Sequence, residues 1–181
     1  MKVGAGGWLS GVARIASPNC DARPRGSRAE LLVIHNISLP PGEFGGAAIA
    51  QLFTNTLDCT AHPYYAQLAG VKVSAHFLVL RDGSIIQFVP CAKRAWHAGV
   101  SSWRGRSACN DFSIGVELEG SDEVAFEDRQ YAALARLTRV LRRNYPLRGV
   151  AGHSDIAPGR KTDPGPHFDW ARYLAAADWR P

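Results

Sequence analysis

The stretch that most restricts the fold runs from Val150 to His167, where Pro158, Gly159, Pro164 and Gly165 interrupt the backbone. Proline removes a donor and clashes inside a helix, and in a sheet it is confined to edges. Neither a continuous helix nor a central strand fits here. The segment is expected as an irregular but stiffened loop carrying His153, Asp155, Lys161, Asp163 and His167. Stiff loops on a scaffold are where chains place metal ligands and catalytic groups. A histidine and an aspartate ten positions apart, with a lysine two before the aspartate, supply two ligands and a fixed charge. The same residues also read as a polar surface loop with incidental histidines, so the rest of the chain has to decide.

Composition removes several classes. A chain of 181 residues, 46% hydrophobic, suits one domain spanning 1–181 with its core at about 30–177. Its longest apolar runs, such as Leu31–Ile34, fall far short of the ~20 residues of a membrane span. No sustained apolar segment follows Met1 and Arg14 interrupts the lead-in, so no secretory signal is read and a cytoplasmic location is expected. Cys20, Cys59, Cys91 and Cys109 are far apart, which points to free thiols and against a cysteine-built zinc site. The net charge is +5, but the arginines are scattered. The densest group, Arg139, Arg142, Arg143 and Arg148, lies on and just beyond a predicted helix and reads as a solvated face. Neither a nucleic-acid partner nor a membrane partner is expected.

Along the chain, residues 1–29 read as an irregular lead-in. Leu31–Ile34 is a buried-strand pattern that ends at His35, and strand C-termini are where open α/β sheets build sites. Ile49, Leu52 and Phe53 predict a short amphipathic helix. Asp82-Gly83 between apolar runs predicts a hairpin within 71–90. His76 alternates with Ala75 and Phe77 and reads as structural. The loop from Lys93 to Asn110 carries Trp96, Trp103, Arg104 and Arg106, suited to stacking and anion contacts or to pinning the loop itself. In the strand pattern 112–120, Ile114, Val116 and Leu118 share one face; Ser113, Gly115, Glu117 and Glu119 share the other. Small residues beside Glu117 leave room for a ligand, and apolar neighbours are expected to raise its pKa toward that of a general base. Glu119 is expected to be solvated. A long helix is predicted from Asp128 to Tyr145, stopped by Pro146, then a short strand at 148–151 and a helix capped by Asp169.

Some chemistries fail on spacing. Gly159-Arg160-Lys161-Thr162 lacks the lysine directly after glycine that a phosphate-binding loop needs, and no Gly-x-Ser-x-Gly elbow occurs. His35, His153 and Asp163 remain. Two imidazoles and a carboxylate form the catalytic type of zinc site, which makes hydroxide available near neutral pH and polarises a carbonyl.

Longer motifs then carry a resemblance: 35–46, Ala61–Tyr64, Ser74–His76, Arg81–Gly83, Ala95–Gly99, Phe112–Gly120, Gly152-His153 and Lys161–Pro166. In order along the chain these resemble the zinc-dependent type 2 N-acetylmuramoyl-L-alanine amidases. The resemblance implies an α/β fold, a single domain with a mixed central sheet flanked by helices, related to peptidoglycan-recognition proteins. It implies cleavage of 1,6-anhydro-muropeptides, small-molecule substrates, during cytoplasmic peptidoglycan recycling. It makes His35, His153 and Asp163 the zinc ligands, Glu117 the residue that activates the hydrolytic water, and Lys161 the charge that stabilises the oxyanion. Asn36, Tyr64, Trp96 and Arg106 are the expected substrate contacts. At Arg106-Ser107-Ala108 the chain departs from the more charged stretch expected there. The alternatives are a wall-lytic amidase outside the cytoplasm and a non-catalytic peptidoglycan-binding module, which would typically lack a ligand.

Overall fold

Ten strands and four α-helices, with three short 3-10 turns among them, follow one another in the structure, a computed structural model that describes residues 1–179. The strands are β1 (Ala13–Arg14), β2 (Cys20–Ala22), β3 (Leu31–Ile37), β4 (Phe77–Val79), β5 (Ile85–Gln87), β6 (Lys93–Ala95), β7 (Ser102–Trp103), β8 (Arg106–Ser107), β9 (Ser113–Glu119) and β10 (Gly149–Gly152). The helices are α1 (Ala48–Thr54), α2 (Asp128–Asn144), α3 (His153–Ile156) and α4 (Trp170–Ala176). Six strands build the main sheet in the order β1-β5-β4-β9-β3-β10, and only the β4–β5 pair is antiparallel. That pair is the hairpin foreseen at Asp82-Gly83, where Gly83 takes φ +82°. The architecture is therefore the single-domain α/β fold with a mixed sheet that the motifs implied.

Alternation along the parallel strands divides the core. Leu32, Ile34, Ile114, Val116 and Leu118 face α2 and α4, joined by Phe77 and Val79. On the opposite face, Leu78 packs with Ile49, Leu52 and Phe53 of α1, while Leu31 and Val33 pack with Phe112, Ala151 and Ile156. Between these two apolar clusters β3 and β9 place His35 and Glu117. Helix α2 is tied to the sheet by Gln130, whose amide donates to the carbonyls of Glu119 (2.9 Å) and Val79 (3.3 Å). The Gln130 carbonyl oxygen in turn accepts from the Glu127 N–H. Asp169 caps α4 by accepting from the Arg172 N–H at 2.9 Å, as expected.

Three expectations need correction. The lead-in is structural: β1 joins the sheet edge beside β5, and β2 pairs with β6. Its Arg23 is half-buried and donates to the carbonyls of Ser113 (2.8 Å), Asp111 (3.1 Å) and Cys91. A side chain whose partners are mostly backbone carbonyls, with the His76 ring at 3.3 Å, leaves no periodic signature. The stretch 150–167 is also more regular than its prolines suggested. Its start forms β10 at the sheet edge, the short strand expected at 148–151, and it is His153–Ile156 that departs from the expected loop by forming the one-turn helix α3.

Glu119 is buried, not solvated, at 2% exposure. Its carboxylate accepts the Gly45 N–H at 2.5 Å and the Arg81 N–H at 3.0 Å, so it anchors the turn after β3 to the β4–β5 hairpin. Hydrogen bonds to a charged group are worth about 1.5–3 kcal/mol, and leaving a buried donor unpaired costs a similar amount. Glu119→Gln swaps one acceptor for an N–H facing an N–H. We expect it to lower unfolding stability by about 1.5–3 kcal/mol in urea titrations; an unchanged midpoint would show that the anchor is energetically idle.

Candidate active site

Register builds the site. In the parallel pair β3–β9, His35 lies opposite Glu117. In β10–β3, Gly152 lies opposite Ile34, so His153, the next residue, comes up level with His35. One row across neighbouring strands thus carries Glu117, His35 and His153 at the C-terminal ends of parallel strands, where open α/β sheets place ligands. Asp163 returns from the loop beyond α3, held by its own carbonyl accepting the Ser154 N–H at 2.9 Å.

His35 Nδ1, His153 Nδ1 and Asp163 Oδ2 converge, separated by 3.0 Å, 3.0 Å and 3.1 Å. Both histidines are buried and the Asp163 side chain is 14% exposed. On its far side His153 Nε2 meets the Ala98 carbonyl at 3.0 Å. A carbonyl only accepts, so Nε2 carries the proton and a neutral His153 turns a bare lone pair at Nδ1 toward the carboxylate. Burial pushes His35 below the usual histidine range, with Asp163 pulling the other way, which favours its neutral, ligating form. Three electron-pair donors this close together are satisfied by a cation among them. This trio is the group of His, Cys, Asp and Glu side chains able to hold a metal ion among the described residues.

Glu117 stands beside this trio, 8% exposed, and its Oε2 has no hydrogen-bond partner among the described residues. Burial, reinforced by the negative charge of Asp163 and opposed by Lys161, raises its carboxyl well above the ordinary carboxylate range. An unsatisfied buried carboxylate costs stability, and such costs cluster where chemistry needs the group. The site opens into a cleft of about 780 Å³. Arg160, Lys161 and Thr162 line it together with Asp122 and Glu123, and Tyr64, Val73 and Trp96 are among its other lining residues.

The profile of the N-acetylmuramoyl-L-alanine amidase family matches residues 25–166. The chain belongs to this amidase family. It is 59% identical to the 1,6-anhydro-N-acetylmuramyl-L-alanine amidase AmpD of Escherichia coli over 169 residues, 92% of each protein. A crystal structure of a selenomethionine AmpD derivative superposes with a TM-score of 0.92 at 58% identity, covering 94% of this chain and 97% of that one. Escherichia coli AmiD, solved with the substrate anhydro-N-acetylmuramic acid-L-Ala-D-gamma-Glu-L-Lys, is similar at 31% identity and a TM-score of 0.62, covering 85% of this chain and 60% of that one.

Within this amidase the structure brings together most, not all, of the residues picked out by sequence. His35, His153, Asp163, Glu117 and Lys161 meet at the cleft, as do Tyr64, Trp96 and Asn36. The Asn36 amide is already engaged, donating to Asp122 Oδ1 at 2.7 Å and to the Pro164 carbonyl at 3.1 Å, so it steadies the loop bearing Asp163. Arg106 is not among the cleft residues; it pairs with Glu30 at 3.1 Å and lies over the Phe112 ring. Trp103 likewise packs over Gly149, where a Cβ would sit 2.3 Å from its ring.

The room foreseen above Gly115 is filled by the chain itself: a Cβ there would meet the His97 ring at 2.5 Å. His97 and Arg160 were both missed by sequence reading. Arg160 spans from the loop after α3 to the carbonyls of Ala98 and Val100, both at 2.7 Å. As expected, His76 is structural: its Nδ1 accepts the Gly115 N–H at 3.0 Å, and burial pushes it down to about 3.

The raised Glu117 carboxyl has a stability consequence in metal-free protein. The folded state holds its proton to higher pH than the unfolded chain, whose glutamates titrate near 4.5, so stability falls as pH rises through that window. Metal-free Glu117→Gln should therefore melt above the parental protein at pH 7, with the gap closing toward pH 4. Each kcal/mol recovered is worth roughly 2–4 °C in a chain of this size. Equal melting temperatures at both pH values would contradict the buried, destabilising carboxylate.

Proposed function

We propose that this amidase is zinc-dependent and hydrolyses the amide between 1,6-anhydro-N-acetylmuramic acid and L-alanine of the stem peptide, in cytoplasmic recycling of peptidoglycan fragments. The observation that carries the reading is the convergence of two imidazole nitrogens and a carboxylate oxygen beside an unpartnered buried glutamate. The anhydro-sugar substrate is supported by the AmpD relatives, matched over nine-tenths of both chains, and by the AmiD substrate complex. No helix among the described residues is long and apolar enough to cross a membrane.

His35 Nδ1, His153 Nδ1 and Asp163 Oδ2 would hold the ion, an N, N, O set of the catalytic zinc type with room for a further ligand. The same donor types serve non-haem iron(II) oxygenases; membership of a hydrolase family favours zinc. When bound, zinc would polarise the scissile carbonyl and increase the acidity of water at the site.

The remaining work falls to the chain. Glu117 Oε2 accepts a proton from water as its oxygen adds to the carbonyl carbon. The neutral acid so formed is the state its buried surroundings favour. The same proton then goes to the departing L-alanine nitrogen as the C–N bond breaks. The Lys161 ammonium, at the cleft wall, offsets the negative charge that develops on the carbonyl oxygen. Trp96 and Tyr64 offer aromatic faces to the sugar and the stem peptide.

Three measurements test this. Asp163→Ala should lose zinc by elemental analysis, whereas Glu117→Gln and Lys161→Met should retain it. Those two variants should keep KM within a few-fold while kcat falls by ~10²-fold or more; near-parental kcat would remove the assigned role. Purified anhydro-muramyl-tripeptide should be cut far faster than intact sacculi at matched bond concentration. Comparable rates would favour a wall-lytic enzyme.

A further inference from the structure

Behind the ligand trio lies a second row of contacts that the reaction itself does not use. His97 Nδ1 meets His35 Nε2 at 2.9 Å, and His97 Nε2 meets Ser113 Oγ at 3.1 Å. The His35 and His97 rings stand edge to face, with centroids 5.0 Å apart and planes at 87°. His97 can take this position because β9 carries glycine at 115; a Cβ there would lie 2.5–2.7 Å from its ring atoms. The backbone is clamped too. Asn110 Oδ1 accepts the N–H groups of both His97 (3.1 Å) and Ala98 (2.8 Å). The Ala98 carbonyl is the group that takes the His153 Nε2 proton.

We infer that the turn His97-Ala98 orients both histidine ligands of the centre, with His97 as the positioning residue for His35. His97 Nδ1 accepts the His35 Nε2 proton, which leaves the His35 Nδ1 lone pair aimed at Asp163 and His153. Ser113 Oγ accepts from His97 Nε2 and so keeps His97 in the tautomer that can accept at Nδ1. Outer partners of this kind fix a ligand's tautomer and ring orientation, and their loss typically weakens metal affinity by about 10–100-fold. A histidine serving only to fill the space above Gly115 would leave metal affinity alone. The inference rests on the zinc reading above and deepens it.

The test measures the zinc Kd of the full chain by competition with a chelating dye, with the melting temperature of metal-free protein recorded alongside. His97→Phe keeps the ring over Gly115 and removes both nitrogens; His97→Asn restores an acceptor near Nδ1. His97→Phe should weaken zinc by about 10–100-fold, shift the visible spectrum of the cobalt(II)-loaded protein, and leave KM near the parental value. His97→Asn should recover part of the affinity, and Ser113→Ala should lose a smaller factor than His97→Phe. A parental Kd in folded His97→Phe overturns the inference, even if its metal-free melting temperature falls. Should His97→Phe fail to fold, Ser113→Ala decides: weakened zinc supports the inference and a parental Kd overturns it. Failure of the parental chain to bind zinc would instead remove the metal reading itself.

Discussion

Everything at the cleft depends on the register of three parallel strands. Pairing His35 with Glu117 across β3 and β9, and Gly152 with Ile34 across β10 and β3, sets a carboxyl group and two imidazoles in one row. A slip of one residue would turn each of these side chains to the opposite face. The register is held from the other side of the sheet, where Leu32, Ile34, Ile114, Val116 and Leu118 are completely buried under α2 and α4. Apolar packing on one face thus fixes polar geometry on the other. The interruption between the two apolar clusters of the second face is where the polar row emerges.

Polar groups in that row are expensive to bury, and the structure treats them unequally. Glu119, two residues beyond Glu117 on the same face, satisfies both oxygens with backbone N–H groups and holds loops together. Glu117 is left with a free oxygen and a raised pKa. Position in the strand decides the difference: Glu119 reaches the turn that carries Gly45, while Glu117 opens onto the cleft. The same contrast separates His76, saturated by backbone, from His35 and His153, whose Nδ1 atoms face a carboxylate.

Much of this was legible in the chain. Alternation in 112–120 and the apolar run before His35 located the two central strands, and long motifs located Glu117, Lys161 and the trio. What escaped notice rests on contacts between residues far apart in sequence. Arg23 is more than eighty positions from the Asp111 and Ser113 carbonyls it binds, and His97 is 62 from His35. Their traces were faint: a glycine in the middle of a buried strand, and an arginine in a loop rich in glycine and proline. Read from sequence, Gly115 signalled open space; in the fold it is the seat of His97. Arg106 and Trp103 show the opposite error. Their composition suited a ligand loop, but Glu30, Phe112 and Gly149 gave them partners in the scaffold.

The central claim is that one zinc ion is held by His35, His153 and Asp163. The most direct measurement is an anomalous difference map from crystals of the zinc-loaded protein, with data collected on both sides of the zinc absorption edge. The account predicts a peak in common contact with His35 Nδ1, His153 Nδ1 and Asp163 Oδ2, at about 2.0–2.2 Å from each, that disappears on the low-energy side. A peak elsewhere, or one bound through His97 or through the Nε2 atom of either histidine, would contradict it.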